Sequence, residues 1–228
     1  ARTLVVIPTL LGRAADVTAM IRQLELHYLC NPDPSLQFAI LTDDVDAKAE
    51  QRSLADRELL DSAAQGIMGL NKKHGDAAGG PFHLLHRAHH WNGAEERYMG
   101  WERKRGKLEE LNRLLRGDQA TSYTLHIGNP QGLLDIRFVI TLDSDTELPM
   151  GSVERLVGLL AHPLNKAVFD PETGRVVAGY TIVQPRIETS PSGARRTLFS
   201  RIFAGDVGFD IYTHASSELY QDLFGAGI

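Results

Sequence analysis

The sequence predicts an open α/β fold built on a mostly parallel central sheet. Three observations carry that expectation. Short apolar runs, Thr3-Leu-Val-Val-Ile7, Leu36 to Leu41 and Phe138-Val-Ile-Thr-Leu142, have the character of strands covered on both faces. Between them, apolar residues recur at helical spacing, as in Val17, Ile21, Leu24 and Tyr28. Proline and glycine clusters punctuate the alternation, and the first half of the chain reads β-α-β-α.

The elements follow in order. Thr3 to Ile7 is a strand closed by Pro8, and Asp16 to Leu29 an amphipathic helix broken by Asn31-Pro-Asp-Pro34. Leu36 to Leu41 is the second strand, and Glu50 to Leu70 a long helix. A polar loop over Lys72 to Gly80 leads to a third strand, Pro81 to His86. His89 to Arg105 matches no period. From Lys107, the residues Leu108, Leu111, Leu114 and Leu115 mark a helix that ends at Gly117. Arg137 to Leu142 is a buried strand that delivers Asp143-Ser-Asp145 at its C-terminal end, where open α/β sheets bind ligands. Ser152 to Ala161 is helical and stopped by Pro163, Phe169 to Gly174 is a turn, and Val176 to Gln184 a strand. Helices fill much of Ala194 to Phe224. With no internal repeat, a single domain over residues 1–228 is the simplest count.

Composition narrows the function. Of 228 residues, 43% are hydrophobic and 23% charged, as in soluble globular domains. Lys and Arg number 24 against 29 Asp and Glu, a formal charge of −5, which argues against a nucleic-acid grip. Cys30 is the single cysteine, so an intrachain disulfide and a cysteine-based zinc site are both excluded, and a reducing compartment fits. No apolar run approaches the roughly 18–20 residues that span a bilayer. The opening at Ala1 and the close at Gly225-Ala-Gly-Ile228 read as the ends of a segment of a longer protein.

Asp143 and Asp145 are the strongest local signal, because two carboxylates separated by one residue at a strand end can converge on Mg²⁺ or Mn²⁺. The competing reading is a helix cap or turn. Arg103-Lys-Arg-Gly-Lys107 sets four positive charges in five residues before a helix, suited to a pyrophosphate or to a solvated face. The calcium-loop, Walker, dinucleotide and hydrolase-elbow patterns all fail on spacing or residue type. His83, His86, His89 and His90 lack the spacing of a zinc pair. Trp91 and Trp101 are expected in the core more than on a sugar, and Gln184-Pro-Arg186 offers a polar clamp after a strand.

Taken together, Val6 to Leu11, Gly100-Trp-Glu-Arg-Lys-Arg-Gly-Lys-Leu108 with Leu111-Asn112, Val139 to Leu148, His162 to Asn165, Gly179-Tyr180, Gln184-Pro-Arg186 and Tyr220 to Phe224 resemble the glycosyltransferase domain of the cyclic β-1,2-glucan synthases. The resemblance implies a GT-A-type, Rossmann-like domain with a mostly parallel sheet and helices on both faces. It implies inverting transfer of glucose from UDP-glucose to a growing β-1,2-glucan. By the same resemblance, Pro8 and Thr9 lie against the nucleotide, Asp43 sits by the uracil and Lys107 faces the diphosphate. Asp143 and Asp145 hold the metal, Mg²⁺ or Mn²⁺, with Asp143 also toward the diphosphate, and Gln184 and Arg186 flank sugar or acceptor. The parent protein is expected at the cytoplasmic face of the bacterial inner membrane, its membrane helices lying outside this segment. The catalytic base of the resembling enzymes falls beyond Ile228, and Asp222 is the late acidic candidate within the chain. Two alternatives stand beside this reading. One is a haloacid-dehalogenase-like phosphatase, although Glu147 occupies the place where its motif wants Thr or Val. The other is a nucleotide-sugar-binding module inactive in isolation.

Overall fold

A computed structural model describes residues 1–50, 52–76 and 79–185. The chain divides into two compact units, one over residues 1–166 and one from Ala167 onward. In the first, β1 (Thr3–Leu11), α1 (Ala14–Cys30), β2 (Leu36–Asp44), α2 (Leu54–His74) and β3 (Phe82–Arg87) alternate as the apolar periods require. A hairpin of β4 (His90–Asn92) and β5 (Arg97–Met99) precedes α3 (Arg103–Leu115), followed by β6 (Tyr123–Ile127), β7 (Phe138–Thr141) and α4 (Ser152–Ala161). The second unit shows one short hairpin, β8 (Val168–Phe169) and β9 (Val176–Ala178), around the expected turn. The expected strand over Val176 to Gln184 stops at Ala178, and the helices expected over Ala194 to Phe224 lie outside the described residues.

The main sheet has the order β6-β3-β2-β1-β7, with β6 antiparallel and the other pairs parallel. Val5 and Ile7 of β1, Phe38 and Ile40 of β2, and Phe82 and Leu84 of β3 point to one face. There they pack against Val17 and Leu24 of α1, Leu60, Ala63 and Ile67 of α2, and Val153 of α4. The alternate residues Leu4, Val6, Ala39, Leu41 and Leu85 face the other way onto Leu111 of α3. Burial on both faces explains why the strands read as unbroken apolar runs. Each such side chain contributes roughly 1.5–3 kcal/mol.

Two boundaries moved for identifiable reasons. The helix expected from Glu50 starts at Leu54, because Ser53 and Asp56 form a reciprocal capping box, Asp56 N–H to Ser53 Oγ at 3.1 Å and Ser53 N–H to Asp56 Oδ2 at 3.0 Å. The strand expected to end at Leu41 continues through Thr42-Asp-Asp44, paired with Thr9 to Leu11 of β1. That extension carries two carboxylates into the sheet.

β1 has β2 on one side and β7 on the other, so the chain leaves β1 in opposite directions at this point. Open α/β sheets bind ligands beyond the C-terminal ends of such a strand pair. β7 is the sheet edge among the described residues, and its residues alternate between half-buried and exposed. Asp143-Ser-Asp145 therefore emerges at an edge, which corrects the expectation of a fully buried strand delivering it.

At the opposite end of the sheet, His83 is fully buried, with Nε2 donating to Gln37 Oε1 at 2.9 Å and Nδ1 accepting from His126 Nε2 at 3.1 Å. Burial, reinforced by His126, drives the His83 pKa down to about 3. The folded protein thus keeps His83 neutral where the unfolded chain takes a proton, near pH 6.5. The associated stability is present above pH 6.5 and is lost as pH falls toward 3, by up to about 1.4 kcal/mol per pH unit. Urea unfolding between pH 6.5 and 5 should show this slope, shallower in His83→Gln. Identical slopes would mean the folded state protonates His83.

Candidate functional site

The C-terminal ends of β1, β2 and β3 share one edge of the sheet, and α3 crosses it. Arg87, the last residue of β3, is 0% exposed. Its Nε donates to Asp43 Oδ1 at 2.8 Å and its Nη2 to Asp43 Oδ2 at 2.9 Å, a two-pronged ion pair. Nη1 reaches Glu110 Oε1 at 3.4 Å. Lys107 Nζ sits 3.1 Å from Asp43 Oδ2 and also donates to the Thr9 carbonyl of β1. The second Glu110 oxygen accepts from Ser122 N–H at 2.8 Å and Oγ at 2.7 Å, and Tyr123 Oη donates to the Lys107 carbonyl at 2.8 Å. Two cations and two carboxylates are thus buried as a neutral, hydrogen-bonded set.

Burial opposes the charge on Arg87, but the hydrogen bonds and charge of Asp43, with Glu110 behind it, prevail and raise its pKa. Lys107 behaves oppositely. Burial lowers its pKa more than Asp43 raises it, and Arg87 adds to the lowering. Burial also pushes the Tyr123 phenol well up, which keeps it a neutral donor.

This set grips the turn that enters α3. Arg87 Nη1 donates to the Trp101 carbonyl and Nη2 to the Arg103 carbonyl, each at 3.1 Å. Within the turn, Glu102 and Arg103 both have left-handed backbones, φ 50° and 46°. Such backbones cost of order 1–3 kcal/mol each and persist only where the surroundings impose them. Gly100 permits the approach, since a Cβ there would lie 2.5 Å from Asp43 Oδ2 and 2.7 Å from Arg87 Nη2.

Beyond the turn, Lys104 extends its ammonium to Asp143 Oδ1, with both side chains more than half exposed. Asp145 is exposed and has no hydrogen bond or ion pair among the described residues. The Asp143 carbonyl accepts from Thr146 N–H at 3.0 Å, so Asp-Ser-Asp forms a turn, while the N-cap of α4 is Gly151 with no side-chain cap. The helix-cap reading of these aspartates is set aside. The following loop is anchored on α1, Leu148 N–H on His27 Nδ1 at 3.4 Å and Val153 N–H on Asn31 Oδ1 at 3.3 Å.

Several expectations change. Lys107, expected exposed beside a diphosphate, is 2% exposed and committed to Asp43 and Thr9. Asp43 is likewise buried, occupied by Arg87 and Lys107. Trp91 and Trp101, expected in the core, are 53% and 44% exposed. Pro8 is buried in β1 and Thr9 half-buried beside it. Gln184 is exposed in the second unit, outside any strand, and Arg186 and Asp222 lie outside the described residues. His83 and His86 are buried in hydrogen bonds, His86 Nδ1 to Thr42 Oγ1 at 2.9 Å. The pattern reading missed Arg87 and Glu110, and from the basic run Arg103 to Lys107 it singled out Lys107, whereas Lys104 is the lysine that reaches Asp143. Lys107 and Glu110 sit one turn apart on the stripe of Leu111 and Leu114, and charges on a leucine stripe were the available signal.

No protein-family model matches the chain. Over its whole length, the chain is 45% identical to the cyclic β-(1,2)-glucan synthase NdvB of Rhizobium meliloti (strain 1021). It spans 8% of the length of that protein.

The two lysines should separate in a stability measurement. Lys107→Ala takes one of two cations from Asp43 and the lysine donor from the Thr9 carbonyl, and should lower the urea-unfolding free energy by about 1–3 kcal/mol. Lys104→Ala removes an exposed pair and should stay within about 0.5 kcal/mol of the parent. Equal effects would contradict the assignment of one lysine to the fold and the other to the site.

Proposed function

From its relation to a cyclic β-(1,2)-glucan synthase, we propose that the chain is the sugar-nucleotide-binding part of a GT-A-type glycosyltransferase. It transfers glucose from UDP-glucose to a growing β-1,2-glucan with inversion at the anomeric carbon. The observation that carries the proposal is the exposed cation–carboxylate pair Lys104–Asp143, beside the unengaged Asp145, just past the C-terminal end of β7. A diphosphate needs mobile positive charge next to the group that gathers its metal, and this pair supplies both.

The donor set suits a hydrated Mg²⁺ or Mn²⁺. Asp143 and Asp145 are accessible hard oxygen ligands, and among the described residues no group of three or more His, Cys, Asp or Glu forms an all-protein cage. Mg²⁺ commonly takes one or two carboxylates and completes its sphere with water and substrate phosphates. When bound, it supplies neutralisation of the charge that develops on the departing diphosphate.

The chain's own groups do the rest of the positioning. On donor binding, the Lys104 ammonium turns from Asp143 to the diphosphate oxygens, a low-cost exchange because an exposed ion pair is weak. Pro8 and Thr9 form the nucleotide-side wall at the end of β1. Asp43 acts from behind that wall, holding Lys107 against the Thr9 carbonyl and Arg87 against the turn that carries Lys104. Gln184 and Arg186 are proposed on the sugar and acceptor side. The acceptor 2-hydroxyl attacks the anomeric carbon opposite the departing UDP, which converts an α-linked donor into a β-linked product. The base that takes its proton is assigned to Asp222 or to the parent protein beyond Ile228. Among the described residues no helix is long and apolar enough to cross a membrane. Attachment to the cytoplasmic face of the inner membrane is proposed through other parts of the parent protein.

Calorimetric titration of UDP-glucose with and without Mn²⁺ tests the reading. Binding should require the metal, and Asp145→Asn should abolish that requirement along with most of the affinity. Lys104→Ala should weaken binding by about one to two orders of magnitude, the worth of a charge-assisted contact of roughly 1.5–3 kcal/mol. Equal, metal-independent affinities in all three proteins would overturn the proposal. Binding without any glucose transfer would instead favour a module inactive in isolation.

A further inference from the structure

The β4–β5 hairpin and the turn into α3 enclose a cleft of about 470 Å³, within the range of small-ligand sites. Both tryptophans of the chain, Trp91 and Trp101, line it. Two large aromatic rings half in water on one cleft leave apolar surface whose coverage is favourable. Neither ring is loose. Trp91 packs edge-on against Tyr98 at 5.2 Å between centroids and 61° between planes. Tyr98 is itself fixed by backbone hydrogen bonds to Ala47 of 2.7 and 3.0 Å. The Trp101 carbonyl is held by Arg87, and its ring lies so close to Gly106 that a Cβ there would be 2.8 Å from Cε3.

The polar lining matches hydroxyl groups better than phosphates. Asn92, Glu95, Glu102 and Arg103 share these walls. Arg103 is already neutralised, its Nη2 donating to Glu95 Oε2 at 2.7 Å and to Asp46 Oδ2 at 2.9 Å. One cation against two lining carboxylates leaves the wall net negative, which disfavours a nucleoside diphosphate. Carboxylates accept from sugar hydroxyls, and the axial C–H face of a β-glucopyranose ring meets the electron-rich face of an indole.

We infer that this cleft is a glucan-binding subsite that stacks pyranose units of a neutral β-linked glucan on Trp91 and Trp101. The identity of the sugar rests on the proposed glucan-synthase function, whereas the ligand class follows from the lining. Trp101 and Lys104 belong to the same turn, clamped by Arg87, so the subsite is fixed relative to the Asp143 pair by the same buried charges.

Because the two tryptophans are the chain's whole complement and both line the cleft, intrinsic fluorescence reports its occupancy. Titration of the 228-residue chain with linear β-1,2-linked gluco-oligosaccharides should give a saturable change in emission, and UDP alone should give none. Trp91→Ala should weaken oligosaccharide binding by about tenfold, the order of one ring stacked on an aromatic. Trp91→Phe should retain most of it, with thermal unfolding unchanged in both. Oligosaccharide affinity unchanged in Trp91→Ala, no saturable response to the glucan, or a response to UDP in its place would overturn the inference. UDP-glucose calorimetry on the same variants separates the two proposals. Donor binding that survives Trp91→Ala while glucan binding falls supports the subsite, and glucan binding in a chain that binds no UDP-glucose would sink the donor reading alone.

Discussion

The fully buried pair of Arg87 and Asp43 is the constraint on which the rest of the site depends. Taking two charges out of water costs several kcal/mol per ion, and their attraction offsets this only if every remaining donor and acceptor is satisfied. Here Arg87 makes five hydrogen bonds to four residues, two to Asp43 and one each to Glu110 and the carbonyls of Trp101 and Arg103. Lys107 and Glu110 complete the neutral set from α3. The sequence separations are long, so the pair welds β2, β3 and α3 together at the edge of the sheet where its C-terminal ends meet.

What this network contributes is position more than stability. A hydrophobic replacement of similar volume could stabilise the core as well, but it could not hold two backbone carbonyls of a turn with left-handed residues at Glu102 and Arg103. That turn carries Trp101, which lines the hairpin cleft, and leads into Lys104, which meets Asp143. The exposed Lys104–Asp143 pair, proposed to meet the diphosphate, is therefore weakly held, and the buried groups behind it are strongly held. An exposed ion pair such as Lys104–Asp143 opens at little cost, which is what the proposed exchange to a diphosphate needs.

β1 and β2 were legible because burial on both faces writes itself as a continuous apolar run, and the Asp143–Asp145 position was legible because it follows an apolar run, although that run lies at the sheet edge. β6 was not, since Tyr123 to Ile127 is a short, half-buried strand with polar Thr124 and His126 among its residues. The three-residue strands β4 and β5 carry too few residues to show a period. The burial of Lys107, expected exposed, was hidden for a deeper reason. Which lysine of a basic run turns inward depends on Asp43 and Arg87, distant in sequence and joined only by the sheet. No local pattern records a pairing of that kind, although Lys107 and Glu110 on a leucine stripe hinted at it.

The most direct test of this account is a double-mutant cycle between Asp43 and Arg87, using Asp43→Asn, Arg87→Met and the double variant in urea unfolding. If the pair organises the sheet edge, each single change costs about 3–5 kcal/mol and the double costs little more than either, a coupling above about 2 kcal/mol. Costs that simply add, within about 0.5 kcal/mol, would show that the two residues act independently and would contradict the claim that their contact holds the site together.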